Sequence, residues 1–300
     1  MSQPAGRAIP SRRGERRKAL AEAIRGRDVE RIRALIGADP SLINAGNSHG
    51  NDRPLSIALS TGSAVAESLV ELGADVNATN HGGWSLLDGA SLAGDAEAAT
   101  WLIRRGVEPK LHHAAGLNDM DLLRDALRTR PEELAECVPR GRGRTPLMFA
   151  AYAGAGDAVA ALIEAGADID AADHVGRSAL NFAVDRGHVG CAGELLTAGA
   201  DPNRRGPNFG GSIVHQAVDS RNAEMVRLLA RFGARVDARD GSGNTPLHRA
   251  TRINVAMVEA LVEVGADTGA TSAAGETPAE LARRLGKAKA ASLIERASGG

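Results

Sequence analysis

A chain of 300 residues with a net charge of -1 lacks the basic surplus that spreads over a nucleic-acid-binding surface. Aromatic residues make up 2% of it against 43% hydrophobic residues, so the core is expected to be Ala, Leu, Val and Ile, which suits closely spaced helices. No run approaches the roughly 18 apolar residues of a membrane span and no apolar signal core opens the chain. Cys137 and Cys191 have no paired spacing for a zinc site or a disulfide framework, which points to a reducing, cytoplasmic compartment.

Residues 1–16 carry Pro4, Gly6, Pro10 and Gly14 among Arg7, Arg12, Arg13 and Arg16, a composition expected to stay a flexible, Arg-rich tail. From residue 17 to 297 the chain repeats itself, and 298–300 are a second short tail. Gly73, Gly106, Gly166, Gly199, Gly233 and Gly265 recur at a period of about 33 residues, with one double step, the mark of stacked helical units. Five units open on a Thr or Ser, in Thr145-Pro146-Leu147-Met148, Ser178-Ala179-Leu180-Asn181, Ser212-Ile213-Val214-His215, Thr245-Pro246-Leu247-His248 and Thr277-Pro278-Ala279-Glu280. The hydroxyl can cap orphan backbone N–H groups, and Pro is tolerated at the first helical position. About nine residues later Gly94, Gly154 or Gly187, followed by Asp95, His188, Asn222 or Asn254, reads as a helix end and a fresh cap.

The second helix of each unit closes on paired aliphatics such as Leu102-Ile103, Leu162-Ile163, Leu195-Leu196 and Leu228-Leu229. A dozen polar residues then lead to the next opening, as in Asp237 to Gly243, and suit a hairpin-like finger. About nine helix pairs are predicted, starting near Ala19, Arg53, Ser85, Pro109, Thr145, Ser178, Ser212, Thr245 and Thr277, the first and last being capping units. Asp75, Asp168, Asp201 and Asp267 follow the repeating Gly-Ala and read as turn residues. Between Gly106 and Pro109 a finger is missing, which predicts a notch, and the following connection, Pro131 to Gly143, is longer than average.

These openings, glycines and fingers resemble the ankyrin repeat over roughly Lys18 to Arg296, which implies an all-α ankyrin-repeat solenoid that binds a protein partner on a concave face formed by the first helices and fingers. Two first-helix positions per unit would line it, giving Ile57 and Ser60, Gly89 and Leu92, His113 and Gly116, Phe149 and Tyr152, Phe182 and Asp185, Gln216 and Asp219, and Arg249 and Arg252. Phe149, Tyr152 and Phe182 fall in adjacent units, bordered by Asp185, Asp219, Arg249 and Arg252, the anatomy of an interface centre. The alternative for Phe149 and Phe182 is that they fold inward as core. Trp101 is read as packing.

A second reading places a small ligand or an enzymatic site at the notch, where Trp84, Asp88, His112 and His113 would converge. In the resemblance, His112 fills the Thr-Pro-Leu-His slot, as do His215 and His248. His188 sits at a helix start, and His49, His81 and His174 fall in loops or fingers, so no metal site, cofactor or catalytic residue is expected. A third reading, nucleic-acid binding through the tail, Arg204-Arg205, Arg249 and Arg252, is disfavoured by the net charge.

Overall fold

The computed structural model describes residues 9, 10, 12–45, 53–80, 83–138, 143–204 and 211–299. Among them the chain forms eighteen α-helices in nine pairs: α1 (Arg13–Arg25) with α2 (Val29–Ala38), α3 (Pro54–Thr61) with α4 (Ser63–Glu71), α5 (Leu86–Ala93) with α6 (Ala96–Ile103), α7 (Leu111–Leu117) with α8 (Met120–Thr129), α9 (Pro146–Ala153) with α10 (Gly156–Glu164), α11 (Ala179–Arg186) with α12 (Val189–Thr197), α13 (Ile213–Asp219) with α14 (Ala223–Arg231), α15 (Pro246–Ile253) with α16 (Val255–Glu263), and α17 (Pro278–Arg284) with α18 (Ala288–Ser298). No strand occurs among the described residues; the fold is an all-α repeat solenoid.

The predicted caps explain where the helices start and stop. Ser85 and Thr277 form capping boxes with Asp88 and Glu280, and Pro146, Pro246 and Pro278 occupy the first helical turn, where a missing N–H costs nothing. Gly154 ends α9 at φ 77°, a left-handed conformation open to glycine without a Cβ penalty. Asp28, Asp95, Asp119, Asn222 and Asn254 cap second helices through their side chains. His188, expected as such a cap, makes no capping bond; its Nε2 instead pairs with the Tyr152 carbonyl at 3.1 Å, tying one repeat to the one before.

Among the described residues the fingers are turns without strands. In one, the Asp240 N–H donates to the Asn244 carbonyl and the Gly243 N–H donates back to the Asp240 carbonyl, both at 2.9 Å. Asp75, Asp168, Asp201 and Asp267 each accept the N–H two residues on, at 2.8–3.1 Å, which is the expected turn chemistry. Side chains at the finger bases, such as Asn203 and Asp237, accept the N–H of Arg235 and Asp267 in the following repeat at 2.8 Å. Hydrogen bonds thus run from unit to unit, as a one-dimensional stack requires.

Packing divides the chain into two compact units, Met1–His113 and Ala114–Gly300, a division that falls inside α7. The first unit's core holds Leu20, Ile24, Ile32, Leu35, Leu42, Leu69, Leu87 and Leu102; the second's holds Leu123, Leu147, Leu162, Leu180, Leu195, Leu229, Leu247 and Leu261, all essentially without exposure. Ala23, Ala58, Ala66, Ala150, Ala183, Ala217 and Ala250 are buried beside them, so small side chains set the helix spacing. Trp101 is buried as packing, its ring under the Arg105 guanidinium at 3.7 Å and its Nε1 donating to Glu67 at 3.3 Å.

Two boundaries differ from expectation. Residues 13–16, assigned to the tail, form the first turn of α1, where the Arg16 Nε donates to the Pro10 carbonyl at 2.6 Å and its guanidinium lies 3.7 Å from Asp39. Arg, Glu and Lys are good helix formers, and these contacts order them. At the other end α18 runs through Ser298. The rest of the tail (1–8 and 11), His49, His81, Arg205 and Gly300 lie outside the described residues.

Candidate functional site

In several repeats the third helical position of the first helix, Asp88, Asn181, His215 or His248, bonds to the neighbouring repeat. The Nδ1 of His215 accepts the Ser212 N–H at 3.0 Å and its Nε2 donates to the Asn244 carbonyl at 3.1 Å; His248 does the same with the Thr245 N–H and the Glu276 carbonyl, at 3.2 and 2.9 Å. At the next helical position Ile57, Phe149 and Phe182 face the core, the two phenylalanines at 0% and 1% exposure, whereas Gly89 is exposed and Gln216 and Arg249 are half-buried. The expectation that Phe149 and Phe182 are contact residues is therefore corrected in favour of inward packing, because the Ala-rich helices leave room that only a large ring fills.

Three positions further on the row does reach the surface. In the second unit it reads Leu117, Tyr152, Asp185, Asp219, Arg252 and Arg284, half-buried at the first two and exposed at the rest. Tyr152 stands at a T-shaped 5.9 Å from the Phe182 ring, with the Arg186 guanidinium 4.6 Å above its own. Arg144 and Arg177 lie 4.5 and 4.4 Å from the Phe182 ring, and Arg177 is fixed by two bonds to Asp173 Oδ2, at 3.1 and 2.9 Å. Aromatic faces attract cations, so Tyr152 is held in one orientation. Arg144 and Arg177 escaped the sequence reading; the signal was that both immediately precede a Thr or Ser opening.

Arg249 is not free to meet a partner. Its guanidinium bridges Asp219 at 2.8 Å and Asp240 at 2.9 Å, leaving Arg252 exposed one turn on. Burial works against the Asp240 carboxylate, but N–H groups of Asn244 and Ser242 and the Arg249 guanidinium outweigh it and hold its pKa below the ordinary value.

In the first unit Asp88, His112 and His113 meet, all buried. His112 Nε2 and His113 Nε2 lie 2.9 and 3.1 Å from Asp88 Oδ1, while Asp88 Oδ2 accepts from the Ser85 N–H and hydroxyl at 2.7 and 2.8 Å. Burial opposes ionisation of Asp88, but the bonds from both imidazoles outweigh it and keep its pKa below the usual range. An ionised carboxylate only accepts, so both histidines donate.

His113, not His112, fills the repeating slot. Its Nδ1 accepts the Lys110 N–H at 2.9 Å, just as His215 and His248 accept at their openings, so the opening of this unit is Lys110 and the register shifts by one from that expected. The cause is the short connection: seven residues, Arg104 to Lys110, separate α6 from α7, where fourteen, Val264 to Thr277, separate α16 from α17. Pro109 therefore stands just before the helix instead of at its first position. His113 is consequently no surface contact.

The three ligand atoms lie within 4.8 Å of one another, the donor types of a metal centre, where Asp88, His112 and His113 were expected to converge. The tautomer decides its use. With its Nδ1 lone pair committed to the Lys110 N–H, neutral His113 carries its proton on Nε2 and offers no lone pair to a cation. Two donors remain, short of the three or four that protein sites supply. The trio links repeats by hydrogen bonds, and its side chains bury one another where the notch was expected to open.

Trp84 opens on a different cleft, about 380 Å³ between α3 and α5, lined with Arg53, Ser56, Ser60, Gly89 and Leu92 but not by Asp88 or either histidine.

Burial is the main cause that lowers the pKa of His113, His215 and His248 below the ordinary 6.5, against the pull of Asp88 and of the Asn244 and Glu276 carbonyls. The unfolded chain protonates these imidazoles near pH 6.5 while the folded chain does not. Stability must then fall as pH drops from about 7 through 6.5 toward the lowered folded values, by at most about 1.4 kcal/mol per pH unit for each histidine. Urea midpoints measured at pH 7.5 and 5.5 should differ in that direction; a flat midpoint over this window would contradict three buried neutral imidazoles.

No helix among the described residues is long and apolar enough to cross a membrane. A family model described as ankyrin repeats (3 copies) matches residues 111–206 and 204–272, and another described as ankyrin repeats (many copies) matches 64–103. Rabankyrin-5 of Homo sapiens is 27% identical over 252 residues, covering 69% of this chain and 22% of that protein. Cyclin-dependent kinase inhibitor 2A of Monodelphis domestica is 37% identical over 119 residues, 40% of this chain and 61% of its own, and Inversin of Mus musculus 33% over 114 residues, 37% and 11%. The chain thus spans under a quarter of the length of Rabankyrin-5. With more than half of its residues under a matching family model, the chain belongs to the ankyrin-repeat family.

Proposed function

We propose that the chain is a non-enzymatic protein-binding module and that its second unit meets the partner through the first-helix row Leu117, Tyr152, Asp185, Asp219 and Arg252 and the fingers beside it. Ankyrin repeats are in general protein-interaction modules. The observation that carries the finer reading is Tyr152: half-buried, clasped by Arg186 and set edge-on to Phe182. Tyr and Arg dominate interface hot spots, and a side chain already fixed loses little entropy on binding. Around it the row runs from apolar to acidic to basic, which selects a partner of opposite order. Trp84 is a half-buried ring beside a cleft of the first unit, and Asp219 and Asp240 position Arg249 beside the row.

Photocrosslinking groups placed at 117, 185, 219 and 252 should capture one and the same protein from the native host, and groups at 164, 194 and 259 on second helices should not. Tyr152→Ala should then weaken that complex about 30-fold or more, the loss of one hot spot. Equal capture from both sets of positions, or unchanged affinity in a folded Tyr152→Ala chain, would overturn the assignment.

A further inference from the structure

The first unit holds a groove that the second unit's row does not account for. Between α1 and α3 lies a cavity of about 440 Å³ whose floor is apolar, with Ile24, Leu42 and Ile57, and whose rim carries Arg17, Lys18 and Arg25. Among the described residues no carboxylate lines it. The stripe of α1 that faces the cavity recurs at spacings of three and four, so these cations stand on one side of the helix. Among the described residues Arg17 Nε is buried without a hydrogen-bond partner, in contrast to Arg16 on the next face, which is paired with Asp39.

We infer that this groove docks an acidic amphipathic helix of another protein, with carboxylates at its two ends and aliphatic side chains between. Charge complementarity sets the sign of the ligand and spacing sets its class. Arg17 and Arg25 are eight residues apart on α1, about 12 Å along the axis. A long-chain carboxylate has a single anionic head and satisfies one end only. A helix with Glu at positions i and i+7 presents two carboxylates about 10 Å apart on one face, and leucines at i+3 and i+4 fall between them over the apolar floor.

The probe is a fluorescein-labelled peptide with Glu at positions 3 and 10 and Leu at 6 and 7, titrated against the full chain by fluorescence anisotropy. Saturable binding is expected, weakening at least tenfold for the Arg17→Glu/Arg25→Glu chain and for a peptide with Ser in place of Leu, and falling with added salt. If the double variant melts early, Lys18→Glu, on an exposed side chain, should still weaken binding severalfold. A photoreactive p-benzoylphenylalanine at position 21 should join the chain to the peptide. Absence of saturable binding, equal binding of a peptide with Lys in place of Glu, crosslinking of position 21 to the chain's own residues 1–8 or 46–52 in place of the peptide, or tight binding of laurate that survives Arg25→Glu would each overturn the inference.

Discussion

Asp88→Ala should lower the stability of the first unit by about 3–5 kcal/mol, although Asp88 touches no surface. The carboxylate takes hydrogen bonds from two imidazoles and from the N–H and hydroxyl of Ser85. Alanine leaves two buried Nε2–H groups without an acceptor, at about 1–3 kcal/mol each, and dissolves the capping box that starts α5, worth about 1 kcal/mol. Asp88→Asn separates the two contributions: its carbonyl can still accept from the imidazoles, but its amide meets the Ser85 N–H as donor against donor. It should lose roughly the cap alone. Both tryptophans, Trp84 and Trp101, lie in the first unit, so urea transitions followed by tryptophan emission report this unit directly. A loss below about 1 kcal/mol for Asp88→Ala would mean that water replaces the carboxylate, and that the trio is not the dry link between repeats that its burial indicates.

What the sequence made legible was whatever repeats. Thr-Pro openings, left-handed glycines and turn aspartates each answer a local backbone need, so their spacing located the helix pairs that carry them, whereas the first unit has no such opening and its α1 begins at Arg13, not near Ala19. The notch region resisted because the markers there compete: Pro109 resembles an opening proline, and only the Lys110 N–H on His113 Nδ1 reveals that the helix starts one residue later. The aromatic residues resisted for another reason. Two positions three apart share a helix face, but which of them meets the core depends on the neighbouring repeat, and Phe149 meets it while Tyr152 does not. Likewise the guanidiniums of Arg144 and Arg186 reach the Phe182 and Tyr152 rings only across a repeat boundary, and Arg17 and Arg25 border a groove only once α3 closes its far side.

Phe182→Ala should cost about 3–5 kcal/mol, the usual loss for a phenylalanine ring removed from a packed core. The ring is 1% exposed and is the surface on which Tyr152, Arg144 and Arg177 rest, so its loss removes a cation–π face as well as volume. Phe149→Ala, at 0% exposure, should behave alike, whereas Tyr152→Ala keeps most of the stability because its ring is only half-buried. Urea unfolding followed by circular dichroism ranks the three. Partner affinity then distinguishes core from contact. If the phenylalanines are core, binding by Phe182→Ala falls in proportion to the unfolded fraction and recovers when a stabilising osmolyte refolds the chain, while the defect of Tyr152→Ala persists in the fully folded protein. A Phe182→Ala chain of undiminished stability and lost affinity would instead put that ring at the partner surface, against its burial.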